Sequence, residues 1–418
     1  MKILFISTNS FPYDRKETLL ESKINRLSKD FDFVFILSAS EYKTEEILLP
    51  NNVYSVFIYL NMSYSSKIIS LLGFFSKVIF QELILQKQNS FSWRKLKVAL
   101  NCYYNSKQYS KQVFELCRLH KIKNENNIFY FHSYWCTDFP VAFTYLRKKY
   151  THAHFSTRMH AYDLYEQRHT PAYLPFRKQI FETCDKLFFI SKQGKEYFKK
   201  TYSISENDKL QVNYLGVEVP TSIYKQNLLT KTELVIVSCS SMILLKRIHL
   251  IINTLALIDD IRIFWVHFGN GPLWEELHYY ASEQLSHKEN IRYEFKGYLP
   301  NQAIHSFYAS THVDLFVNVS KYEGVPISVM EAMAYGIPCV GTNVGGVNEI
   351  ITNENGFLID VNFKHQTLVS IMEQYFALGV EDKLSYRKSA TNLIKNRFNK
   401  VHNFESFIKE LFNEQIKR

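Results

Sequence analysis

The chain has 418 residues, 46% of them hydrophobic and 22% charged, which suits a soluble globular protein of two domains and excludes an intrinsically disordered class. Six scattered cysteines, Cys102, Cys117, Cys136, Cys184, Cys239 and Cys339, have no C-x-x-C spacing, so neither a disulfide framework nor a cysteine zinc site is indicated and a reducing cytoplasm is expected. The formal net charge of +10 sits in the first half, where residues 1–220 hold 31 Lys and Arg against 20 Asp and Glu. Such basicity suits nucleic acid, an anionic membrane face or a phosphate-bearing substrate, and charge alone does not choose among them.

The chain opens MKILFISTNSFPYD, whose apolar run is too short for a signal peptide and reads as a first buried strand, so export is not expected. Further strands are predicted at Phe33 to Leu37, Val53 to Tyr59, Ile128 to His132, His154 to Met159 and Lys186 to Ile190, with helical intervals between most of them. The stretch Ile68 to Leu85, interrupted by Ser76, Lys77, Gln81 and Glu82, is not transmembrane. Its apolar positions 68, 71, 72, 75, 79 and 83 have helical spacing, which fits a core helix or, with Lys67, Lys77, Lys87, Arg94, Lys95 and Lys97 around them, a helix lying in a bilayer interface. His132, in YFHSYW, follows a strand-like run and either lines a ligand site or packs beside Tyr134 and Trp135.

A connector near Val217 to Gln226 precedes a second series of strands at Leu234 to Cys239, Arg262 to Phe268, Ile291 to Lys296, Asp314 to Val319 and Pro338 to Gly341. The fold class is therefore α/β, with two doubly wound Rossmann-like domains over 1–218 and 219–399. Lys246 and Arg247 fall just after the first strand of the second series, where a cationic pair can grip phosphate. Gly269, Gly271 and Gly297 end other strands of that series.

The most informative stretch is DLFVNVSKYEGVPISVMEAMAYGIPCVGTNVGGVNE, Asp314 to Glu349. Glu323, Gly324, Val325 and Pro326 form a loop after a short strand, with Pro326 in the first turn of a helix that carries Glu331. The pair Gly345 and Gly346 follows the next strand, where missing side chains would let backbone amides approach a diphosphate.

The E-x7-E pattern from Glu323 to Glu331, followed by AMAYGIPCV and NVGGVNEI, resembles the family-4 retaining glycosyltransferases, glycosyltransferase group 1, and within them bacterial polysaccharide-assembly enzymes. The resemblance implies a GT-B architecture, two Rossmann-like domains facing across a cleft, with 400–418 crossing back onto the first domain. It implies a hexose moved from a nucleoside-diphosphate sugar, UDP favoured, to a growing and lipid-linked glycan in capsule, O-antigen or exopolysaccharide synthesis. Transfer is expected to be metal-independent and free of cofactor, with no nucleic-acid partner, in the cytoplasm or peripherally on the inner membrane face.

Carried over residue by residue, the resemblance assigns Glu331 to ribose, Glu323 to the donor sugar, Lys246 to leaving-group charge, and Gly345 and Gly346 to the diphosphate. Arg247 is a second phosphate group, and Ser241, where the family often has arginine, offers only a neutral hydrogen bond. Gly269, Gly297 and Tyr298 are expected near the base. R-x-H-x-x-D, here Arg158, His160 and Asp163, resembles the first-domain sugar-contact motif, so His160 orients the donor sugar while Arg158 and Asp163 hold the loop or contact acceptor hydroxyls. FPYDRKETLLESKINRL resembles the acceptor loop but lacks its glycines, leaving Arg15 and Glu17, with His132, on the acceptor side. The alternatives are a sugar-nucleotide epimerase or hydrolase on this scaffold, or a non-catalytic membrane-associated glycan-binding protein.

Overall fold

The computed structural model describes residues 1–13, 18–39, 47–58, 60, 77–88, 92–220 and 232–412. Arg15, Glu17, the connector residues from 221 onward and the first part of the 68–85 stretch lie outside the described residues. The chain divides into two compact units, Met1–Ile190 with Gly194–Val212, and Ser191–Gln193 with Asn213–Arg418.

In the first unit the strands are β1 (Lys2–Thr8), β2 (Phe33–Ser38), β3 (Val53–Phe57), β4 (Ile128–Ser133), β5 (His154–Met159), β6 (Lys186–Phe189) and β7 (Leu210–Val212). They form one parallel sheet ordered β3-β2-β1-β4-β5-β6-β7. The helices of this part of the chain are α1 (Thr18–Asp30), α2 (Lys77–Gln88), α3 (Trp93–Leu119), α4 (Phe139–Lys149), α5 (Arg177–Thr183) and α6 (Lys192–Tyr202). The division between units passes through α6 after Gln193.

Near-continuous apolar runs make these central strands, because both faces of a doubly wound sheet are covered. Register is fixed by a row of aromatic rings at directly paired positions: Phe5 stacks on Phe35 at 4.9 Å and on Phe131 at 5.3 Å, and Phe131 on Phe155 at 5.0 Å. Slipping one strand by a residue would turn its ring to the opposite face and break the row. Helix α3 begins where the Ser92 side chain accepts the Arg94 N–H.

In the second unit β8 (Glu233–Cys239), β9 (Arg262–Phe268), β10 (Ile291–Phe295), β11 (Leu315–Asn318), β12 (Cys339–Thr342) and β13 (Gly356–Ile359) make a parallel sheet ordered β10-β9-β8-β11-β12-β13. Its helices are α7 (Ile248–Leu255), α8 (Trp274–Leu285), α9 (Asn301–Ser310), α10 (Ile327–Ala334), α11 (His365–Ala377), α12 (Val380–Arg397) and α13 (Lys400–Phe412). Each sheet reverses strand order beside its first strand, at β1/β4 and β8/β11, and ligands of such sheets bind at the carboxyl ends of the strands flanking that reversal.

The predicted strands are present with ends shifted by a residue or two. Asp314 lies just outside β11, where its carboxylate accepts the Val235 N–H at 2.9 Å and so locks β11 against β8. The division at Val212 and Asn213 precedes the predicted one at residue 218 for a visible reason. Val217 N–H donates to Phe398 O at 2.9 Å, Lys400 N–H to Val217 O at 3.0 Å, and Asn403 Nδ2 to Leu215 O at 3.1 Å, strapping 213–217 to the start of α13. Residues 400–412 accordingly belong to the second unit.

Candidate active site

At the carboxyl end of β8 the chain runs through Ser240 and Ser241 into a single 3-10 turn, Leu244–Lys246. Two backbone bonds zip this loop to the one after β9: Met242 N–H to Asn270 O at 3.0 Å and Leu273 N–H to Met242 O at 3.1 Å. Gly269 makes the approach possible, since at φ +137° a Cβ there would sit 1.9 Å from Ser240 O. Beneath the loop the Trp265 indole N–H donates to Ser238 Oγ at 2.9 Å, the Ser238 hydroxyl to His267 Nδ1 at 2.8 Å, and His267 Nε2–H to Ser240 O at 3.2 Å. A carbonyl can only accept, so this relay fixes a neutral His267 with its proton on Nε2, and burial lowers its pKa to about 4. Ser241 is exposed at the top of the loop.

The 3-10 turn is held against the loop after β11 by Lys321 N–H donating to Leu245 O at 2.9 Å. That contact brings Lys246 to Glu323. Lys246 Nζ donates to Glu323 Oε1 at 2.5 Å, and Asn318 Nδ2, on the last residue of β11, donates to the same oxygen at 3.3 Å. With side chains 21% and 10% exposed, the pair is shielded enough for its field to be strong yet open enough to be shared with a ligand. Arg247 departs from its predicted role. It closes the turn at φ +52°, and its Nε and Nη1 donate to Val319 O and Val361 O, each at 2.7 Å, with Nη2 3.4 Å from Ser320 O. Its guanidinium is a brace for the loop after β11.

Glu331 projects from α10 toward α9, where Asn301 Nδ2 donates to its Oε1 at 3.3 Å and His305 Nε2 lies 3.4 Å from the same atom. Burial pushes the Cys239 thiol, at the end of β8, up to about 12, with the Glu331 charge adding to that rise and the Lys246 charge opposing it. Tyr298, in the loop after β10, is exposed, and Gly297 beside it accepts the Gly269 N–H at 2.8 Å.

The Gly346 amide departs from the sequence expectation. Gly346 N–H donates to Gly324 O at 2.6 Å, so that amide is committed to the neighbouring loop and not presented to a phosphate. Gly345 has φ +53°, and a Cβ there would lie 1.8 Å from Glu323 O. The pair is small because two loops meet there. Val325 and Pro326 are buried beneath them. Four residues on, Glu349 accepts the Tyr214 hydroxyl at 2.8 Å and the backbone N–H groups of Lys192 and Gln193 at 3.0 and 2.9 Å, with Arg397 Nη2 3.4 Å away.

Residues 221–398, which hold the elements from β8 to the end of α12, match the family described as Glycosyl transferases group 1. That stretch, somewhat under half of the 418 residues, is similar to the group 1 glycosyltransferases. Among curated relatives, 156 residues are 29% identical to an Escherichia coli protein named UDP-Gal:alpha-D-GlcNAc-diphosphoundecaprenol alpha-1,3-galactosyltransferase, covering 36% of this chain and 37% of that one. Another 24% identity, over 251 residues, covers 58% of this chain and 60% of WcaL of Escherichia coli K12, a putative colanic acid biosynthesis glycosyltransferase. The chain thus spans less than two thirds of the length of either relative. The solved structure of WaaB, described as a lipopolysaccharide outer core galactosyltransferase in its apo form, superposes with a TM-score of 0.69 at 16% identity over 99% of both chains, and identifies the fold as GT-B.

Outside the matched stretch, the first unit places its named residues at the carboxyl ends of β4 and β5. His160 is buried against the rings of Trp135 at 4.2 Å and Tyr134 at 5.1 Å, and burial lowers its pKa. Both ring nitrogens lack a hydrogen-bond partner among the described residues, Nδ1 lying 3.9 Å from Asp163. Asp163 holds the loop: its carboxylate accepts the backbone N–H groups of His160 at 2.6 Å and Cys136 at 2.5 Å. Buried Arg177 completes that frame by donating to Cys136 O and Asp163 O. His132 is buried in β4 with Nδ1 2.9 Å from Ser156 Oγ, and burial lowers its pKa strongly. Arg158 is buried in β5 with its pKa lowered by burial to about 10.

Sequence reasoning passed over Asn318, Asn301, His305, Arg177 and Lys23, whose ammonium lies 5.1 Å from the Tyr134 ring centre. Asn318 alone carried a signal, as a polar residue inside the apolar run DLFVNV. Among the described residues no group of three or more His, Cys, Asp or Glu is placed to hold a metal ion, and no helix is long and apolar enough to cross a membrane.

Proposed function

We propose that this protein transfers a hexose from a nucleoside-diphosphate sugar to a hydroxyl of a growing glycan in bacterial polysaccharide synthesis. One observation carries the reading: in the stretch similar to the group 1 glycosyltransferases, an ammonium and a carboxylate meet at the strand-order reversal, 2.5 Å apart and partly open. Lys246 is assigned the charge that develops on the departing diphosphate, Glu323 the hydroxyls of the transferred sugar, and Glu331 the ribose. The neutral His160 ring, whose nitrogens are buried and lack a hydrogen-bond partner among the described residues, is assigned a sugar hydroxyl, and Arg158 and Asp163 the framing of its loop.

The reaction is read as front-face and retaining. The bond from the anomeric carbon to phosphate oxygen breaks, the acceptor oxygen bonds the same face, and the acceptor proton passes to the departing phosphate oxygen. No side chain is then needed as general base, and the enzyme's part is to position the reactants and stabilise separating charge. No metal or cofactor is assigned. A UDP-sugar donor and a lipid-linked acceptor are favoured by the relative whose name specifies UDP-Gal and a diphosphoundecaprenol acceptor.

The test measures nucleoside diphosphate released from UDP-, GDP- and ADP-sugars with and without lipid-linked glycans. Acceptor-dependent release from one donor, with an α-linked product from an α-linked donor, is expected. Release independent of acceptor would mean a hydrolase, an altered sugar on intact donor an epimerase, and tight binding without turnover a binding module.

A further inference from the structure

Helix α9 starts directly after the loop that carries Gly297 and Tyr298, and two of its residues, Asn301 and His305, stand one turn apart and so share a face. Both reach one atom. Asn301 Nδ2 donates to Glu331 Oε1 at 3.3 Å, and His305 Nε2 lies 3.4 Å from that oxygen. The His305 nitrogen is buried, and among the described residues Glu331 Oε1 is the acceptor within its reach. Its ring is fixed from another side, meeting the Tyr335 ring edge-on at 5.7 Å, while Tyr335, at the end of α10, packs on Tyr308 of α9 at the same distance. The second carboxylate oxygen, Oε2, takes no hydrogen bond among the described residues, and the Glu331 side chain is 12% exposed.

We propose that His305, with Asn301, is a positioning residue for nucleoside recognition: the two hold Glu331 Oε1 so that Oε2 is presented to a ribose diol, and α9 thereby sets how strongly the site prefers ribose to a sugar lacking those hydroxyls. The proposal rests on the assignment of Glu331 to ribose made above. An unanchored glutamate loses its rotamer freedom each time a ligand binds, which costs up to about tenfold in affinity. Anchoring one oxygen removes that cost. A ligand without the diol then leaves a fixed, partly buried carboxylate oxygen unpaired, and a site built to bond a hydroxyl rejects the analogue that lacks it. His305 acts through Glu331, by an N–H on Nε2 donated to Oε1.

The test is isothermal titration of the full chain with UDP, GDP and ADP, followed by the 2′,3′-dideoxy form of whichever nucleotide binds. Wild type should bind the ribonucleotide at least ~10-fold more tightly than its dideoxy form. His305→Phe keeps a ring against Tyr335 but has no N–H, so it should weaken ribonucleotide binding roughly 3- to 10-fold and leave the dideoxynucleotide nearly as before. His305→Gln offers an amide N–H without filling the place of the ring, and should restore most of the preference. A packing role would give the reverse order, with Phe tolerated and Gln impaired, and would overturn the proposal. Glu331→Ala separates this proposal from the reading beneath it. A ribose preference that survives Glu331→Ala, or binding of none of the three nucleotides by wild type, would overturn both. A preference lost in Glu331→Ala but unchanged in His305→Phe would overturn the proposal alone.

Discussion

The Lys246 ammonium and the Glu323 carboxylate, 77 positions apart in the chain, meet at 2.5 Å where the second sheet reverses strand order. Neither holds its place alone. Replacing either by alanine should lower kcat about 10²- to 10³-fold, the scale of one lost charge-stabilising donor. The double variant should fall short of the product of the two single losses, because contacting groups act as a unit. Nucleoside diphosphate release with the true substrates checks this, and full activity in the double variant would refute the site.

Arg247 should respond unlike its neighbour. Its guanidinium is committed to three backbone carbonyls, so Arg247→Ala should cost roughly 1–3 kcal/mol of stability, visible as a lower Tm. Lysine cannot reproduce the fork, so Arg247→Lys should destabilise similarly. A phosphate ligand would instead let lysine restore turnover.

Gly345 is constrained twice, by φ +53° and by the Glu323 carbonyl where its Cβ would go. Gly345→Ala should cost roughly 1–3 kcal/mol and, by displacing Glu323, about 10- to 100-fold in kcat. Thermal unfolding and turnover, measured on one preparation, give both numbers.

His267 gives a pH dependence with a definite sign. Its pKa in the folded protein, about 4, lies below the ordinary 6.5, so as pH falls the unfolded chain takes up a proton before the folded one. The associated stability is complete above pH 6.5 and is lost between 6.5 and 4, roughly 3 kcal/mol in all. In denaturant titrations the wild type should lose about 2 kcal/mol more than His267→Gln between pH 7 and pH 5. Equal losses would mean that the buried relay does not hold the ring neutral.

His160→Ala should lower kcat on the true substrates at least ~10-fold, and it should also lower Tm, because the ring it removes packs against Trp135 and Tyr134. A large loss of stability with unchanged kcat would make His160 a packing residue.

Most strands were legible because a buried parallel strand writes itself as a short apolar run: His154–Met159 and Arg262–Phe268 begin and end where the pattern says. β13 escaped, its Gly356–Ile359 too short to separate from the turn before it. At the site, the loop and helix carrying Glu323 and Glu331 could be read from residue spacing. What each polar atom bonds could not. The Gly346 amide and the Arg247 guanidinium are satisfied by carbonyls 22 and 114 positions away or nearer, and Glu349 meets Tyr214 across 135 positions. Such choices depend on which loops fall side by side, a fact no local pattern encodes.

The bond from Gly346 to Gly324, with Gly345 seated under the Glu323 carbonyl, also bears on how donor preference can be altered. Residues 323–326 and 345–346 behave as one moulded part, and neither can be recast while the other keeps its shape. An exchange of donor specificity by transplanting a segment from a relative should therefore succeed only when both loops travel together, and a single-loop chimaera should lose the fold of the site before it gains a new sugar.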